Sequence, residues 1–577
     1  MLRSTLFKSA VSEFLNARNF LLAHRENYDK AYAEFKWPQL TQFNWAADYF
    51  DPMAKGNHKP ALWLVGEQGE QKYSFDEMSR RSNQVANYLV KQGVQPFDRV
   101  MLMLPNTPEL WESMLAAIKI PAVIVPASTM LPKEDLAYRV KKASISYVIA
   151  PTSEANKFDD IAVKNKIAVG ESRPGWSSYR DSIYCDDAFS PLLTTQATDP
   201  LFNYFTSGTT AAPKCVIHTH ASYPVGHLST MYWLGLQSDD YHLNIASPGW
   251  GKHAWSSFFA PWNAGACVFS YAYRRFNVKS FLQILGRYPI TSLCAPPAVW
   301  QQLSEENLEN YPVHLEKATS AGDVLDPARI KQVKDSWGVV IRGGYGATET
   351  TATMGHCPGQ TVIPGTLGSP LPGYRLGMTG EGELVIKLIP RPVGFMQGYD
   401  DPEKTEQVVH DDLFHSGDVI VPLPQDPKAF RFAGRKDDSF KSSGYLINPV
   451  ELESKLLEHP SVLEAAVVPS LHSEKGAVPK AFVVLKKGEN GGQALAEALF
   501  HFIENKIPAS HGIRIIQFCD QLPKTISEKT IRRELRKEEA AGKYTASPFL
   551  FKKEKMVDTS RANNPVEQNG NFTNFRR

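Results

Sequence analysis

The stretch Thr206-Ser-Gly-Thr-Thr-Ala-Ala-Pro-Lys214 packs hydroxyls, a glycine and a lysine into one short segment. That mixture suits a polyphosphate. Backbone N–H groups around Gly208 form an anion nest, the hydroxyls of Thr206, Ser207, Thr209 and Thr210 donate to phosphate oxygens, and Lys214 adds a point charge. The segment lacks the GxxxxGK[ST] spacing of a Walker loop. Taken alone, the same residues suit an ordinary Ser/Thr-rich turn after the strand-like Leu201–Phe205.

Further motifs follow in order along the chain. Tyr345-Gly-Ala-Thr-Glu349-Thr-Thr offers a carboxylate, Glu349, for a Mg²⁺ that phosphates also bind. His415-Ser-Gly-Asp418 sets a carboxylate after a turn, suited to a ribose diol. Gly434-Arg-Lys-Asp-Asp438, Lys441-Ser-Ser-Gly444 and Pro523-Lys-Thr-Ile-Ser-Glu-Lys529 complete the set. Each has a plain alternative as a surface turn, a charge cluster or a helix cap. Together they point to ATP chemistry.

In this order the motifs resemble those of the adenylate-forming superfamily, which includes acyl-CoA synthetases, peptide-synthetase adenylation domains and luciferases. The resemblance runs from about Phe43 to Leu535. The stretch from Ser247 through Trp250, His253, Trp255 and Trp262 resembles the medium-chain acyl-CoA synthetase branch. It implies that Thr206–Lys214 binds phosphate and that Gly322 and Asp323 form the adenine-side loop. Tyr345 stacks near the adenine, Thr348 touches the α-phosphate and Glu349 ligates Mg²⁺. Asp418 and Arg435 hold the ribose, Asp437 is the interdomain hinge, and Gly444 lines the pantetheine tunnel. Lys529 bridges the substrate carboxylate and the α-phosphate.

The implied activity is ATP-dependent conversion of a carboxylic acid to an acyl-adenylate, then transfer to CoA with release of AMP. ATP, Mg²⁺ and CoA are the implied cofactors. Transfer to a carrier protein or another nucleophile uses the same first-step residues, and a catalytically impaired relative would keep the same fold. The chain departs from the family pattern at Ala211, where glycine is usual, at Gly343, where an Asp often reads the adenine amino group, and at Ala347. Val324, Leu446 and Glu528 stand where Pro, Arg and Gly are frequent. Acetate-using members carry Trp at the position of Gly346, so glycine implies an open pocket for an acyl group longer than acetate or propionate. Trp250, His253 and Trp255 are expected either to line that pocket or to belong to an ordinary aromatic core.

Composition fits this class. Of 577 residues, 42% are hydrophobic and 21% charged, as in ordinary globular chains. The formal net charge of +2 argues against a nucleic-acid binder, including a ligase that adenylates nucleic acid. No apolar run reaches the roughly 18 residues of a spanning helix. The cysteines form no CxxC pair, which argues against a zinc knuckle or a disulfide framework and fits a reducing compartment. MLRSTLFKSA carries one Arg, so an ordinary starting helix and a cytoplasmic enzyme are expected rather than a mitochondrial presequence. The sequon Asn571-Phe-Thr573 is taken as chance.

The elements that must position these residues are readable in part. Ser74 and Glu77 predict a capping box for a helix burying Met78, Val85 and Leu89. Arg99–Leu104 reads as a strand, Thr107-Pro108 as a helix start, and Val123–Val125 and Tyr147–Ile149 as buried strands around a helix near Glu134–Lys142. This rhythm predicts an α/β fold, with a largely parallel sheet covered by helices. After the Gly/Pro-rich Pro364–Gly382 the pattern turns to antiparallel strands. From Asp437 a compact α+β unit is predicted, with a helix starting at Asn448-Pro449. The expected organisation is an AMP-binding N-terminal domain with a β-rich subdomain (1–436), a small mobile C-terminal domain (437–545) and a disordered tail (546–577).

Overall fold

A computed structural model describes residues 2–551, apart from 68, 207–212, 274, 424–425, 443–444, 473–474, 509, 526–529 and 544–547. The chain forms two compact units. The first comprises Met1–Ser416 and Ile420–Phe432, the second Gly417–Val419 and everything from Ala433. Among the described residues, no helix is long and apolar enough to cross a membrane. The tail predicted from residue 546 lies almost wholly outside the described residues, which end at Phe551.

Local chemistry starts the helices where the sequence predicts. The Ser74–Glu77 capping box is complete, and its helix, Phe75–Lys91, buries Met78, Val85 and Leu89. Proline opens the helix Pro108–Lys119, although Thr107 makes no side-chain cap. That helix is enclosed on all sides. Lys119 is fully buried and is neutralised by Asp51 at 2.8 Å, while Glu112 meets Arg81 at 3.0 Å. Burying such charges is tolerable only when they are paired.

Two large sheets make up most of the first unit. The eight-stranded sheet runs in the order Gly398–Tyr399, Lys214–Thr219, Pro200–Thr206, Val123–Pro126, Arg99–Leu102, Tyr147–Pro151, Asn165–Val169, Ser177–Ser178. Its last five neighbouring pairs, from Pro200–Thr206 onward, are parallel. The other end is antiparallel, because Pro200–Thr206 turns back directly into Lys214–Thr219. The nine-stranded sheet is likewise parallel at its centre, through Lys317–Ala321 and Ile341–Ala347. It becomes antiparallel where Ile341–Ala347 folds back onto Thr351–Gly355. The alternating β-α rhythm reads the parallel centres. It carries no signal for these antiparallel edges, and the motif residues sit there.

A large aromatic core with Trp45, Trp111, Phe258 and Trp262 serves both sheets, and a second core around Leu293, Trp300 and Ile341 packs the nine-stranded one. A third sheet contains Leu376–Met378, Glu383–Lys387, Val409–His410, Leu413–Leu423 and Asp426–Arg435.

In the second unit, Val462–His472, Gly476–Leu485, Ile515–Phe518 and Phe549–Leu550 form a four-stranded sheet. The helix Pro449–Leu457 starts at Asn448, whose side chain accepts from the Val450 N–H. Arg532 joins Glu453 and Asp438, and Arg536 reaches Asp438 at 2.9 Å.

Candidate active site

The strand Pro200–Thr206 and the strand Lys214–Thr219 pair with Thr206 opposite Lys214. Thr206 and Lys214, the two ends of the hydroxyl-rich segment, are therefore held in register. Ser207, Gly208, Thr209, Thr210 and Ala211 lie outside the described residues.

A second hairpin presents Thr348 and Glu349. Ile341–Ala347 pairs with Thr351–Gly355, with Ala347 opposite Thr351 and a bulge between Tyr345 and Gly346. The turn is tied by Thr350 N–H to the Ala347 carbonyl at 3.1 Å and by Ala347 N–H to Thr350 Oγ1 at 3.1 Å. Thr351 sits at φ +62°, a conformation that a β-branched residue adopts only under strain. It is fully buried, and its Oγ1 is 2.8 Å from the Tyr374 hydroxyl, which also donates to the Thr350 carbonyl. The surroundings thus hold the strained turn in place.

The two hairpins are bonded to each other. His218, on the strand leaving the first loop, donates Nε2–H to the Thr348 carbonyl at 2.7 Å, and its Nδ1 lies 2.9 Å from Ser222 Oγ. Burial pushes His218 down to about 4, so it is a neutral, fixed ligand of the turn. Tyr399, paired with Val216 of the same strand, donates its hydroxyl to Glu349 Oε1 at 2.8 Å. Lys214 Nζ stands 5.0 Å over the ring of Tyr399. The Lys214 ammonium and the Glu349 carboxylate therefore share one aromatic ring. Neither His218 nor Tyr399 belongs to a motif read from the sequence, because their roles come from strand register.

Gly346 has a local backbone reason. A Cβ built there would fall on the Thr351 carbonyl oxygen and lie 2.9 Å from Ala352 Cα. The bulged hairpin is shaped around this glycine by the close approach of backbone. Of the three expected wall residues, Trp255 is buried in the large aromatic core and donates Nε1–H to Tyr223 at 3.0 Å. His253 is buried, bonds Asn106 Oδ1 at 2.9 Å and is pushed down to about 3 by burial. Trp250 is half-buried, with its Nε1 lacking a hydrogen-bond partner.

Next to the second hairpin lies a recess lined by Ser320, Asp323, Val324, Gly343, His356 and Thr366, among others. The recess is partly open to solvent. Gly322 adopts φ +114°, which glycine alone takes readily, and leads Asp323 to the rim. Tyr345, the next residue but one after Gly343, packs against the cluster of Met354, Leu367 and Leu384.

In the second unit Asp418 is buried and pairs with Arg435 at 3.0 Å, and Arg435 Nη2 is 3.8 Å from Asp437. Gly417, at φ +72°, allows this approach, since a Cβ there would stand 3.0 Å from the Arg435 guanidinium. Asp437 lies in the turn Lys436–Asp438. Gly444, Glu528 and Lys529 lie outside the described residues. Lys524 and Thr530, which flank Glu528 and Lys529, form an isolated antiparallel bridge.

Residues 51–387 match the family model of the AMP-binding enzyme, and residues 451–529 match that of the AMP-binding enzyme C-terminal domain. The chain is 36% identical to a 4-hydroxybutyrate–CoA ligase of Metallosphaera sedula, covering 87% of this chain and 91% of that one. It is 34% identical to the mitochondrial acyl-coenzyme A synthetase ACSM3 of Mus musculus, over 89% of this chain and 93% of that one. The fold matches the crystal structure of the anthranilate CoA ligase AuaEII with anthranoyl-AMP, at a TM-score of 0.78 and 24% identity, covering 88% of this chain and 99% of that one.

Proposed function

The chain belongs to the AMP-binding enzyme family, and from that premise we propose that it is an acyl-CoA synthetase acting on a short- or medium-chain carboxylic acid. In the first half-reaction a carboxylate oxygen attacks the α-phosphorus of ATP. The α–β anhydride bond breaks, leaving acyl-adenylate and pyrophosphate. In the second, the sulfur of CoA attacks the acyl carbonyl, AMP departs and the thiol proton is released.

The observation that carries this reading is the shared ring. Tyr399 holds the Glu349 carboxylate at 2.8 Å and lies under Lys214 at 5.0 Å. Two anions must meet in the first step, so positive charge has to be fixed beforehand where negative charge accumulates. We assign Lys214 and the loop from Thr206 to the leaving phosphates. Thr348 is assigned to the α-phosphate, with His218 fixing its carbonyl at 2.7 Å. Asp418 and Arg435 are assigned to the ribose, and Lys529 to the link between substrate carboxylate and α-phosphate.

Glu349 is the residue we assign to Mg²⁺. A single carboxylate completed by phosphate oxygens and water is a usual Mg²⁺ donor set. Among the described residues, no group of three or more His, Cys, Asp or Glu competes for the ion. When bound, the ion neutralises charge on the phosphates. Tyr399 orients the carboxylate that faces it.

Asp437 is proposed as the hinge and Gly444 as a backbone wall for the pantetheine arm. The six cysteines are unpaired thiols, which supports a reducing compartment, and we assign the cytoplasm. The test is pyrophosphate release from ATP across straight-chain acids of two to ten carbons, with and without CoA. Acid-dependent pyrophosphate with AMP release that requires CoA supports the proposal. Absence of acid dependence refutes it.

A further inference from the structure

The turn that carries Thr348 and Glu349 is gripped from behind, and the grip continues outward through a second turn. Thr351, at φ +62°, stays in that conformation only because its neighbours hold it there. The Tyr374 hydroxyl donates to the Thr350 carbonyl and contacts Thr351 Oγ1 at 2.8 Å. One fully buried phenol thus engages both residues that follow Glu349. The phenol is itself placed by the turn of residues 370–374. On one side that turn is tied to the strand Thr351–Gly355, with Pro370 opposite Met354 and the Leu371 N–H on the Thr353 carbonyl at 2.8 Å.

On its other side lie residues 28–37, ahead of residue 51, where the family match begins. Trp37 Nε1–H donates to the Gly373 carbonyl at 2.8 Å, and its ring meets Tyr374 edge-on with centroids 5.8 Å apart. Gly373 is fitted to the indole. It adopts φ +88°, and a Cβ there would come within 2.4 Å of Trp37 Nε1. Tyr28 and Tyr32 stand one turn apart on the helix Tyr28–Glu34 and so reach the same neighbour. Tyr32 donates to the Tyr374 carbonyl at 3.3 Å, and Tyr28 to the Pro370 carbonyl at 2.9 Å. Apolar packing alone would bury these rings in any orientation. Here each ring also gives its one polar hydrogen to the same short stretch of backbone, which fixes where Tyr374 stands.

We propose that Trp37 is a positioning residue for adenylate formation. Acting through Gly373 and Tyr374, it keeps the strained turn in the shape that aims the Glu349 carboxylate at Mg²⁺. Tyr28 and Tyr32 steady the same backbone. The inference rests on the role assigned to Glu349 above.

The experiment is a double-mutant cycle on the full chain, read as the Mg²⁺ concentration that gives half-maximal acid-dependent pyrophosphate release. Trp37→Phe keeps a ring but drops the bond to Gly373, and Tyr374→Phe drops those to Thr350 and Thr351. Each should raise that concentration about fivefold, the equivalent of one buried hydrogen bond. The double variant should lie within about twofold of the larger single effect, because residues acting along one line of contacts are not additive. Phe14→Leu is the control. Phe14 is buried against Phe43 and Tyr49 on the helix Leu2–Ala23, outside this line of contacts, so the variant should lower the urea midpoint at the parental Mg²⁺ requirement. The proposal is overturned by a parental Mg²⁺ requirement in Trp37→Phe, by single effects that multiply in the double variant, or by an equal shift in Phe14→Leu. If Trp37→Phe does not fold by circular dichroism, Tyr32→Phe takes its place in the cycle. Amide hydrogen exchange gives a readout without turnover: Trp37→Phe should speed exchange over residues 347–353 about fivefold and leave Arg99–Leu102 at the parental rate. A parent that releases no acid-dependent pyrophosphate removes the synthetase reading, and exchange then decides this inference alone, unchanged rates over 347–353 overturning it.

Discussion

Lowering the pH should destabilise the first unit steeply, through its buried histidines. His218, His242 and His356 are pushed down to about 4 and His220 and His253 to about 3, in each case chiefly by burial. His227 is also held well below its ordinary value, by burial and then by His218. In the unfolded chain all would titrate near 6.5. Between the two values the unfolded state binds more protons than the folded one, so stability rises with pH. The contribution is complete above about pH 6.5 and is lost as the pH falls toward the folded values. A histidine held near 4 gives up about 3 kcal/mol over that interval. Asp48, pushed up to about 6 by burial, opposes the trend by one proton. At pH 5 the net slope from these groups is about 6 kcal/mol per pH unit. Total stabilities of domains are only about 5–15 kcal/mol, so cooperative unfolding is expected between roughly pH 6 and pH 5. The assay is the urea midpoint by tryptophan fluorescence at half-unit steps from pH 7.5 to 5. His220 supplies the control, because neither ring nitrogen has a hydrogen-bond partner. His220→Leu should lower the slope by about 1.4 kcal/mol per pH unit and cost little at pH 7.5. A midpoint that stays level from pH 7 to 5, or a His220→Leu variant with the parental slope, refutes the argument.

Other outcomes follow from the site. Tyr399→Phe removes the 2.8 Å bond to Glu349 and should raise the Mg²⁺ concentration for half-maximal pyrophosphate release about tenfold, the equivalent of one charged hydrogen bond; an unchanged Mg²⁺ titration would show that Tyr399 does not orient the carboxylate. Lys529→Ala should abolish adenylate formation while sparing thioester formation from supplied acyl-adenylate, and parental adenylation would end the role assigned to that lysine. Gly346→Ala should lower activity toward acids of every length alike, because its Cβ displaces the Thr351 carbonyl and with it the Thr348–Glu349 turn; a loss confined to long acids would favour the open-floor reading.

What the sequence discloses and what it hides divide along a physical line. A capping box is written within four residues, so Ser74–Glu77 is legible without tertiary information. The same holds for Pro108 and for Asn448-Pro449, where the signal and the structure it causes are adjacent. Thr206, Lys214, Thr348 and Glu349 stand out along the chain as candidates because several charged or hydroxyl-bearing residues recur within each motif. The side chains that hold them do not. His218 reaches Thr348 and Tyr399 reaches Glu349 only because two hairpins and an edge strand fall into one register. No local pattern encodes that, and both residues look like ordinary core aromatics when read along the chain.

Glycine is the most deceptive letter in this sequence, because an absent side chain has two opposite structural meanings. At Gly346 the absence is filled by the Thr351 carbonyl, so nothing larger fits without moving the turn. Three residues earlier, at Gly343, the absence leaves room, with His356 Nδ1 at 3.5 Å and the Thr366 carbonyl at 3.6 Å along its wall. The sequence shows the same letter twice on one strand. The register that sets Gly344 opposite Gly355 decides which gap is closed and which leaves room for a Cβ. A departure from a family pattern therefore has no fixed structural meaning until the neighbouring strand is known.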